Sequence, residues 1–372
     1  MPMYENEIRP ERALLVSVDT GDFDAEVSID ELEELASTAG AVTVGKVIQK
    51  KEAPEKATFV GIGKLAEIIA FCQQNEVDLL IFDSELSPSQ QRNLEKLTGI
   101  RVIDRTMLIL DIFAQRARSS EGKLQVELAQ LRYQLPRLAG QGTALSRLGG
   151  GIGTRGPGET KLESDKRHIR RRIQKLEEDL AAMEKRRFQM RKRREKDSVQ
   201  TVAIVGYTNA GKSTLMNALT DAGVLAENKL FATLDPTSRA LILPDGRQVM
   251  LIDTVGFIRR LPHKLVEAFK STLEEAASAT LVLNVCDASD EHAAEHLEVT
   301  KRLLSELGYE DKPIISVMNK CDKVGVISAE NRCVFICAVT VVIKRILHNI
   351  VNSLFDSSIK IHGGFIVIVV PL

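Results

Sequence analysis

Apolar and polar positions follow two different rhythms along this chain of 372 residues. Up to residue 113, short apolar runs such as 13–18, 42–47 and 77–82 are separated by stretches with helical spacing. One such stretch, residues 30–39, predicts a helix capped by Ser28 or Asp30. Because strands that alternate with helices pair side by side, the pattern predicts a small α/β domain with a mostly parallel sheet over residues 1–117.

The rhythm then changes to leucines spaced alternately by four and three residues, beginning at Leu124 and ending at Leu138. A second seam of this kind begins at Leu162 and ends at Met183. Each seam predicts a helix with one apolar face. A glycine-rich segment, residues 139–158, separates them. We therefore expect an antiparallel helical hairpin over residues 118–197, with the glycine-rich loop at its tip.

The loop and the second helix both have two open interpretations. The glycines allow close backbone approach, and Arg147, Arg155 and Lys161 carry charge suited to the phosphates of RNA, but a disordered linker has a similar composition. Between Lys166 and Lys196 there are fourteen Lys or Arg and five Asp or Glu. Such a run indicates either an anionic partner or a solvated helix face.

Composition excludes several classes of protein. A net charge of −1 with 44% hydrophobic residues is not the composition of a disordered chain. The five cysteines lack a paired metal-binding spacing, which favours thiols in a reducing compartment. Residues 1–12 do not resemble a signal peptide, and no apolar run reaches the roughly 18 residues of a membrane helix. We therefore expect a cytoplasmic protein without a membrane span.

The candidate chemistry lies in residues 198–353. The motif GYTNAGKS, residues 206–213, follows an apolar run and opens a helical pattern, which is typical of the phosphate-binding loop of P-loop NTPases. Glycines permit the tight turn, Lys212 is expected to reach the β- and γ-phosphates, and Ser213 to hold Mg²⁺. The predicted nucleotide-binding residues of this loop are Gly206, Tyr207, Thr208, Asn209, Ala210, Gly211, Lys212, Ser213 and Thr214. An ordinary strand–helix turn is the alternative for the pattern alone.

Two further motifs stand at the ends of predicted strands. Asp253 opens DTVG and is expected to bind Mg²⁺ through water, while the Gly256 N–H is expected to contact the γ-phosphate. Asp322 ends NKCD and can accept both N–H donors of guanine, a donor pair that adenine lacks. The motif therefore favours a GTP-binding protein over a P-loop kinase or ATPase. The predicted binding residues here are Asp253, Thr254, Val255, Gly256, Asn319, Lys320 and Asp322.

Together these motifs resemble the TRAFAC class of GTPases, and residues 10–340 are similar to the HflX family of the Obg–HflX superfamily. The most specific matches are DIFAQRA (111–117), GKLQVELAQL (122–131), GGGIGTRGPGET (149–160), FATLDPT (231–237) and DTVGF (253–257). The resemblance implies a P-loop GTPase domain preceded by a small α/β domain and a helical hairpin. It also implies a GTP hydrolase that binds the large ribosomal subunit and its RNA, splitting or rescuing ribosomes under stress.

The resemblance assigns roles to the FATLDPT segment, called switch I below. Thr233 would close on Mg²⁺ and the γ-phosphate, and Phe231 and Ala232 would line the nucleotide. The implied catalytic residues are Lys212, Thr233 and Gly256. The implied metal ligands are Ser213, Thr233 and Asp253.

Two positions bear on the rate of hydrolysis. Phe257 stands where many GTPases place a glutamine that orients the attacking water, so we expect slow intrinsic hydrolysis and stimulation by a partner. Asn209 resembles the asparagine of potassium-assisted GTPases, which makes K⁺ a candidate cofactor beside Mg²⁺. The alternative is an asparagine that only ties the loop down.

The chain departs from the family pattern near its end. Cys337 stands where the last guanine-contacting loop usually has serine, and the Ala338 N–H is expected to meet the guanine oxygen. Family members continue into a further C-terminal domain, whereas residues 354–372 form an apolar tail. We expect this tail to be either an added strand or the product of an altered reading frame. Two functions stay open: a monomeric GTPase acting on ribosomes, or a nucleotide-gated RNA-binding module with impaired turnover.

Overall fold

A computed structural model describes residues 9–138, 161–196, 200–220, 230–262, 265, 279–306, 312–323, 333–335 and 366–369. The chain divides into two compact units, Met1–Gln115 with Leu124–Asp179 and Arg116–Lys123 with Leu180–Leu372. The expected mixed α/β fold, with a parallel-sheet P-loop domain, is confirmed. The three-part division of the chain made from the sequence stays a prediction.

The first unit is built on a four-stranded sheet in which neighbouring strands are parallel, with the order β2-β1-β3-β4. Leu14, Val16, Leu80 and Phe82, on its two central strands, are fully buried. The alternation of apolar runs and amphipathic stretches produces this sheet as expected. Its elements are β1 (Arg12–Asp19), α1 (Ala25–Ala39), β2 (Val42–Lys50), α2 (Ile62–Gln74), β3 (Leu79–Phe82), α3 (Pro88–Thr98), β4 (Arg101–Asp104) and α4 (Arg105–Arg116).

Helix α1 begins more than one turn earlier than the sequence pattern indicated, so the predicted cap at Ser28 or Asp30 is wrong. The cap is Asp24, whose carboxylate accepts hydrogen bonds from the N–H groups of Glu26 and Val27 at 3.0 and 3.1 Å. Ser28 is instead buried inside the helix and donates to Asp83 at 2.7 Å. A polar residue in the first turn was mistaken for the cap because its tertiary partner lies 55 residues away.

Two long helices follow, α5 (Ser120–Arg137) and α6 (Lys161–Lys196). Leu176, on the predicted seam of α6, is fully buried, whereas its neighbours Lys175 and Glu177 are exposed. Arg132 pairs with Glu177 at 2.6 Å, and Arg172 pairs with Glu127 at 2.6 Å, so side chains of the two helices meet. The glycine-rich loop with Arg147 and Arg155 lies outside the described residues, as does the side chain of Lys161, and the antiparallel hairpin stays a prediction.

The second unit contains a sheet whose described strands follow the order β10-β11-β9-β8-β5-β7-β6. Only the β6–β7 pair is antiparallel among these strands. Residues 366–369 of the apolar tail lie between β9 and β10 as a strand, which is one of the two expected alternatives. The elements are β5 (Gln200–Gly206), α7 (Lys212–Thr220), β6 (Thr237–Ile242), β7 (Gln248–Asp253), β8 (Leu281–Asp287), α8 (Ala293–Glu306), β9 (Ile314–Asn319), β10 (Cys333–Phe335) and β11 (Ile366–Val369).

No helix within the described ranges is both long enough and apolar enough to cross a membrane.

The capping role of Asp24 leads to a test of local stability. Asp24→Ala should lower the opening free energy of the first turn of α1 by about 1 kcal/mol, because two helix N–H groups lose their acceptor. Hydrogen exchange of the α1 amides measures this quantity. Asp24→Asn is the matched control, since its side-chain oxygen still caps the helix. Equal exchange in the alanine and asparagine variants would contradict the assignment.

Candidate nucleotide-binding site

The motif-bearing loops all leave one edge of the second sheet. Strands β5, β7, β8 and β9 are parallel and end at Gly206, Asp253, Asp287 and Asn319. Because the carboxyl ends of parallel strands meet at the same edge, the residues that follow them lie together. Open α/β sheets bind their ligands at this edge.

The P-loop has the curvature that its glycines predicted. Gly206 has φ +147°, and a Cβ there would lie 2.1 Å from the Val285 carbonyl oxygen. Gly211 has φ +91°, and a Cβ there would lie 2.1 Å from Asn319 Nδ2. Asn209, with φ 59°, adopts the left-handed conformation that asparagine tolerates. The two glycines therefore serve the turn, and each leaves room for a neighbour: the β8 backbone beside Gly206 and the Asn319 side chain beside Gly211.

Three predicted metal ligands converge. The Ser213 hydroxyl donates to Asp253 Oδ2 at 2.8 Å and lies 2.8 Å from Thr233 Oγ1, while Thr233 donates to the same carboxylate oxygen at 3.1 Å. Asp253 is fully buried, and its other oxygen, Oδ1, has no hydrogen-bond partner within the described structure. An unpartnered carboxylate oxygen beside two hydroxyls fits Mg²⁺, which prefers oxygen ligands.

The nucleotide would have to supply the remaining ligands. Within the described residues no group of three or more His, Cys, Asp or Glu side chains could hold a metal. Mg²⁺ is commonly bound by one or two carboxylates together with substrate phosphates, and this site has that composition.

Burial shifts the pKa values of the two charged residues of the site, Lys212 and Asp253. It lowers the pKa of Lys212 to about 8, against the opposing attraction of Asp253. It also raises the pKa of Asp253, against the charge of Lys212 and the hydroxyls of Ser213 and Thr233. Both residues are therefore pushed toward their neutral forms. A phosphate near Lys212 and a cation near Asp253 would favour the charged form of each, so the electrostatics suit a metal-bound nucleotide.

The DTVGF segment packs directly on the P-loop. The Phe257 N–H donates to the Gly206 carbonyl at 3.0 Å, and the Thr208 N–H donates to the Phe257 carbonyl at 2.7 Å. The Phe257 side chain is buried. A Cβ on Gly256 would lie 2.7 Å from Thr208 Cα and 3.0 Å from Lys212 Nζ. Only glycine fits at residue 256 without displacing the P-loop backbone.

The NKCD motif is joined to the P-loop by Asn319, whose Nδ2 donates to the Ala210 carbonyl at 2.9 Å. Lys320, with φ 58°, pairs with Asp287 at 2.7 Å. Asp322 lies in the 3₁₀ turn Cys321–Lys323, where its side chain is not described. Cys337 and Ala338 lie outside the described residues. The guanine contacts of these three residues stay predictions.

The other predicted residues have the following contacts and burial in the structure. Lys212 is buried, and its Nζ donates to the Tyr207 carbonyl at 2.9 Å. The Thr254 hydroxyl donates to the Ile204 carbonyl at 2.8 Å, which ties the start of the DTVGF segment to β5. Val255 and Phe231 are buried, whereas Thr214 and Ala232 are partly exposed.

Sequence reasoning missed two polar contacts of this site. Asp287 forms an ion pair with Lys320. Burial acts to raise the pKa of Asp287, but the hydrogen bonds from Lys320 and Ser289 outweigh it, so the pKa lies below its usual value. The Thr208 hydroxyl accepts the Phe231 N–H at 2.8 Å, so the P-loop holds switch I. An acidic residue at the end of a predicted strand was a readable signal for Asp287, but its partner Lys320 follows only from the pairing of β8 with β9. The contact of Thr208 had none.

Three family models match the chain in succession. "GTP-binding GTPase N-terminal" matches residues 26–114, "GTP-binding GTPase Middle Region" matches residues 116–194, and "50S ribosome-binding GTPase" matches residues 201–320. The last match covers the P-loop, switch I, DTVGF and the first two residues of NKCD.

Curated relatives share most of the chain. The GTPase HflX of Caldanaerobacter subterraneus is 55% identical over 350 residues, which cover 94% of this chain and 82% of the relative. The GTPase HflX of Escherichia coli is 50% identical over 321 residues, 86% of this chain and 75% of the relative. A solved GTP-binding protein of Sulfolobus solfataricus in complex with GDP is 26% identical, with coverage of 97% and 93% and a TM-score of 0.46.

The close packing at Gly256 leads to a test of the site. Gly256→Ala should slow GTP hydrolysis by at least about tenfold, a barrier change of roughly 1.4 kcal/mol, because the added Cβ keeps the DTVGF segment off the P-loop. GDP affinity should change much less. Single-turnover hydrolysis and a fluorescent GDP titration measure the two effects. Gly63→Ala, where a Cβ meets nothing within 4 Å, is the matched control. An unchanged rate in Gly256→Ala would contradict the packing argument.

Proposed function

We propose that this chain, which belongs to the HflX family of GTPases, couples GTP binding and hydrolysis to splitting or rescue of ribosomes under stress. The observation that carries the proposal is the joining of switch I to the P-loop and to Asp253 through Thr233, in a domain that matches a 50S ribosome-binding GTPase model. A switch I threonine in this position senses the γ-phosphate, so the closed state depends on GTP. We further propose that the chain acts as a cytoplasmic monomer.

The residues of the site divide the tasks of binding phosphates, metal and guanine. Lys212 neutralises the β- and γ-phosphates, and its charged form is restored by their approach. Ser213, Thr233 and Asp253 would hold Mg²⁺, which supplies positive charge to the phosphate oxygens when bound. The Gly256 N–H contacts the γ-phosphate, and hydrolysis releases both switch segments. Asp322, with Cys337 and Ala338, contacts the guanine.

Phe257 explains why a partner is needed. Its buried side chain has no group that can hydrogen-bond the attacking water. The chain's own residues bind and position the nucleotide. Orienting the attacking water requires either a group from a partner or a rearrangement of switch I and the DTVGF segment. We propose that the large ribosomal subunit provides this step. Arg147, Arg155 and Lys161 would contact its RNA, which makes docking sensitive to salt.

The partner can be tested by GTP hydrolysis under multiple turnover, with purified large subunits, small subunits or neither. Large subunits should raise the rate by about tenfold or more, a barrier change of at least roughly 1.4 kcal/mol. Small subunits are the control for non-specific RNA effects. The Thr233→Ala variant should lose the stimulation, because it cannot close switch I. Tight GTP binding without stimulated turnover would instead favour a nucleotide-gated binding module.

We also propose that K⁺ assists hydrolysis through Asn209. Its left-handed backbone conformation places an amide side chain in the middle of the P-loop. A monovalent cation held there would supply charge where other GTPases use an arginine.

Hydrolysis should then be about tenfold faster in K⁺ than in Na⁺ at equal ionic strength, an effect of roughly 1.4 kcal/mol on the barrier. Asn209→Gly is the matched control, because glycine tolerates the same φ but carries no amide. This variant should hydrolyse GTP equally in both salts. Equal rates in the unmodified chain would remove the K⁺ proposal and leave Asn209 a structural role.

A further inference from the structure

Switch I ends at Thr237, which lies in β6 and pairs with Asp253 of β7. Before that residue, polar contacts attach switch I at three described places, and the third lies outside the nucleotide site. Its first residue, Phe231, is held by Thr208, and Thr233 is held by Ser213 and Asp253. The third attachment is Asp235. One carboxylate oxygen accepts the N–H groups of Arg118 and Ser119, each at 2.7 Å, and the other accepts the Ser119 hydroxyl.

These partners form the start of helix α5. Ser119 immediately precedes the helix, and its hydroxyl accepts the Gly122 N–H at 2.8 Å, as an N-cap does. The same hydroxyl donates to Asp235, so the carboxylate closes a small network at the helix N-terminus. The unpaired N–H groups and the macrodipole of that terminus favour an anion.

Gly122 leaves the space that the carboxylate occupies. A Cβ on this residue would lie 2.2 Å from Asp235 Oδ1. Gly122 lies within α5, where glycine destabilises a helix relative to alanine. Its presence there matches the need for room beside Asp235. Two observations, the hydrogen bonds and the close approach, therefore point to the same contact.

We propose that Asp235 is a positioning residue for Thr233, which it holds toward Ser213 and Asp253 by anchoring switch I to residues 118–119. The inference rests on the proposed role of Thr233. Only Leu234 separates the two residues, and its side chain is buried, so an anchor at 235 restricts where residue 233 can lie. Binding of metal-bound GTP then strengthens the contact with the start of α5, and the contact strengthens binding by the same factor.

The test measures affinities of the full chain for a fluorescent non-hydrolysable GTP analogue with Mg²⁺ and for fluorescent GDP. Asp235→Ala should weaken the analogue by about tenfold, because switch I loses the hydrogen bonds that hold Thr233 toward Ser213 and Asp253. GDP affinity should change little, even where loss of the hydrogen bonds at the start of α5 lowers the melting temperature. Asp235→Asn keeps one acceptor oxygen, so its affinity for the analogue should lie between those of the unmodified chain and Asp235→Ala. A general loss of structure would weaken both nucleotides alike, so the ratio of the two affinities isolates the positioning effect.

Gly122→Ala tests the same contact from the side of helix α5, because the added Cβ would clash with the Asp235 carboxylate. It should also weaken the GTP analogue selectively, and in Asp235→Ala it should add no further loss, because the clashing carboxylate is gone. Gly63→Ala, in the open surroundings of α2, is the control for glycine replacement within a helix.

The outcomes separate this inference from the proposed function. Thr233→Ala should weaken the analogue; if it does not, the proposed role of Thr233 fails, and the positioning role of Asp235 falls with it. If Thr233→Ala weakens the analogue while Asp235→Ala binds it normally, only the positioning role is overturned. Independent, additive losses from Gly122→Ala and Asp235→Ala would also overturn it.

Discussion

The second unit depends on one buried carboxylate. Asp253 ends a central strand, is inaccessible to solvent, and draws the hydroxyls of Ser213 and Thr233 to one of its oxygens. An ionised carboxylate in such a place is costly unless charge or hydrogen bonds compensate it. The P-loop helix and switch I provide part of this compensation, and a cation would complete it. The requirement to satisfy this group therefore organises the elements around it.

The same requirement links binding to conformation. Thr233 links switch I to the carboxylate of Asp253, and it is flanked by attachments at Phe231 and Asp235. In the proposed function, a change in charge at the phosphates would therefore act on a segment that is attached on either side of Thr233. Gly256 lies so close to Thr208 and Lys212 that the DTVGF segment has little freedom of its own. Membership in a GTPase family is consistent with a site in which switch I and the DTVGF segment both contact the P-loop.

Local sequence signals anticipated the parts of the site that depend on backbone conformation. Gly206 and Gly211 were assigned to the turn because only glycine tolerates such geometry, and both have positive φ. The strand–loop–helix order around Lys212 and the strands that precede Asp253 and Asn319 were also read correctly. The start of α1 was not, because Ser28 looks like a cap in the sequence but bonds to Asp83 across the fold.

The sequence alone determined the class of fold and the nucleotide motifs, since both are encoded by residue spacing within short stretches, and it indicated the family through the residues of the matching motifs. Tertiary structure decided which polar side chains meet. Asp235 and Ser119 are 116 residues apart, and their hydrogen bond leaves no local pattern in either segment. Asp287 meets Lys320 only because β8 and β9 are adjacent and parallel. Hydrogen bonds between distant segments depend on chain packing, which short-range periodicity does not record.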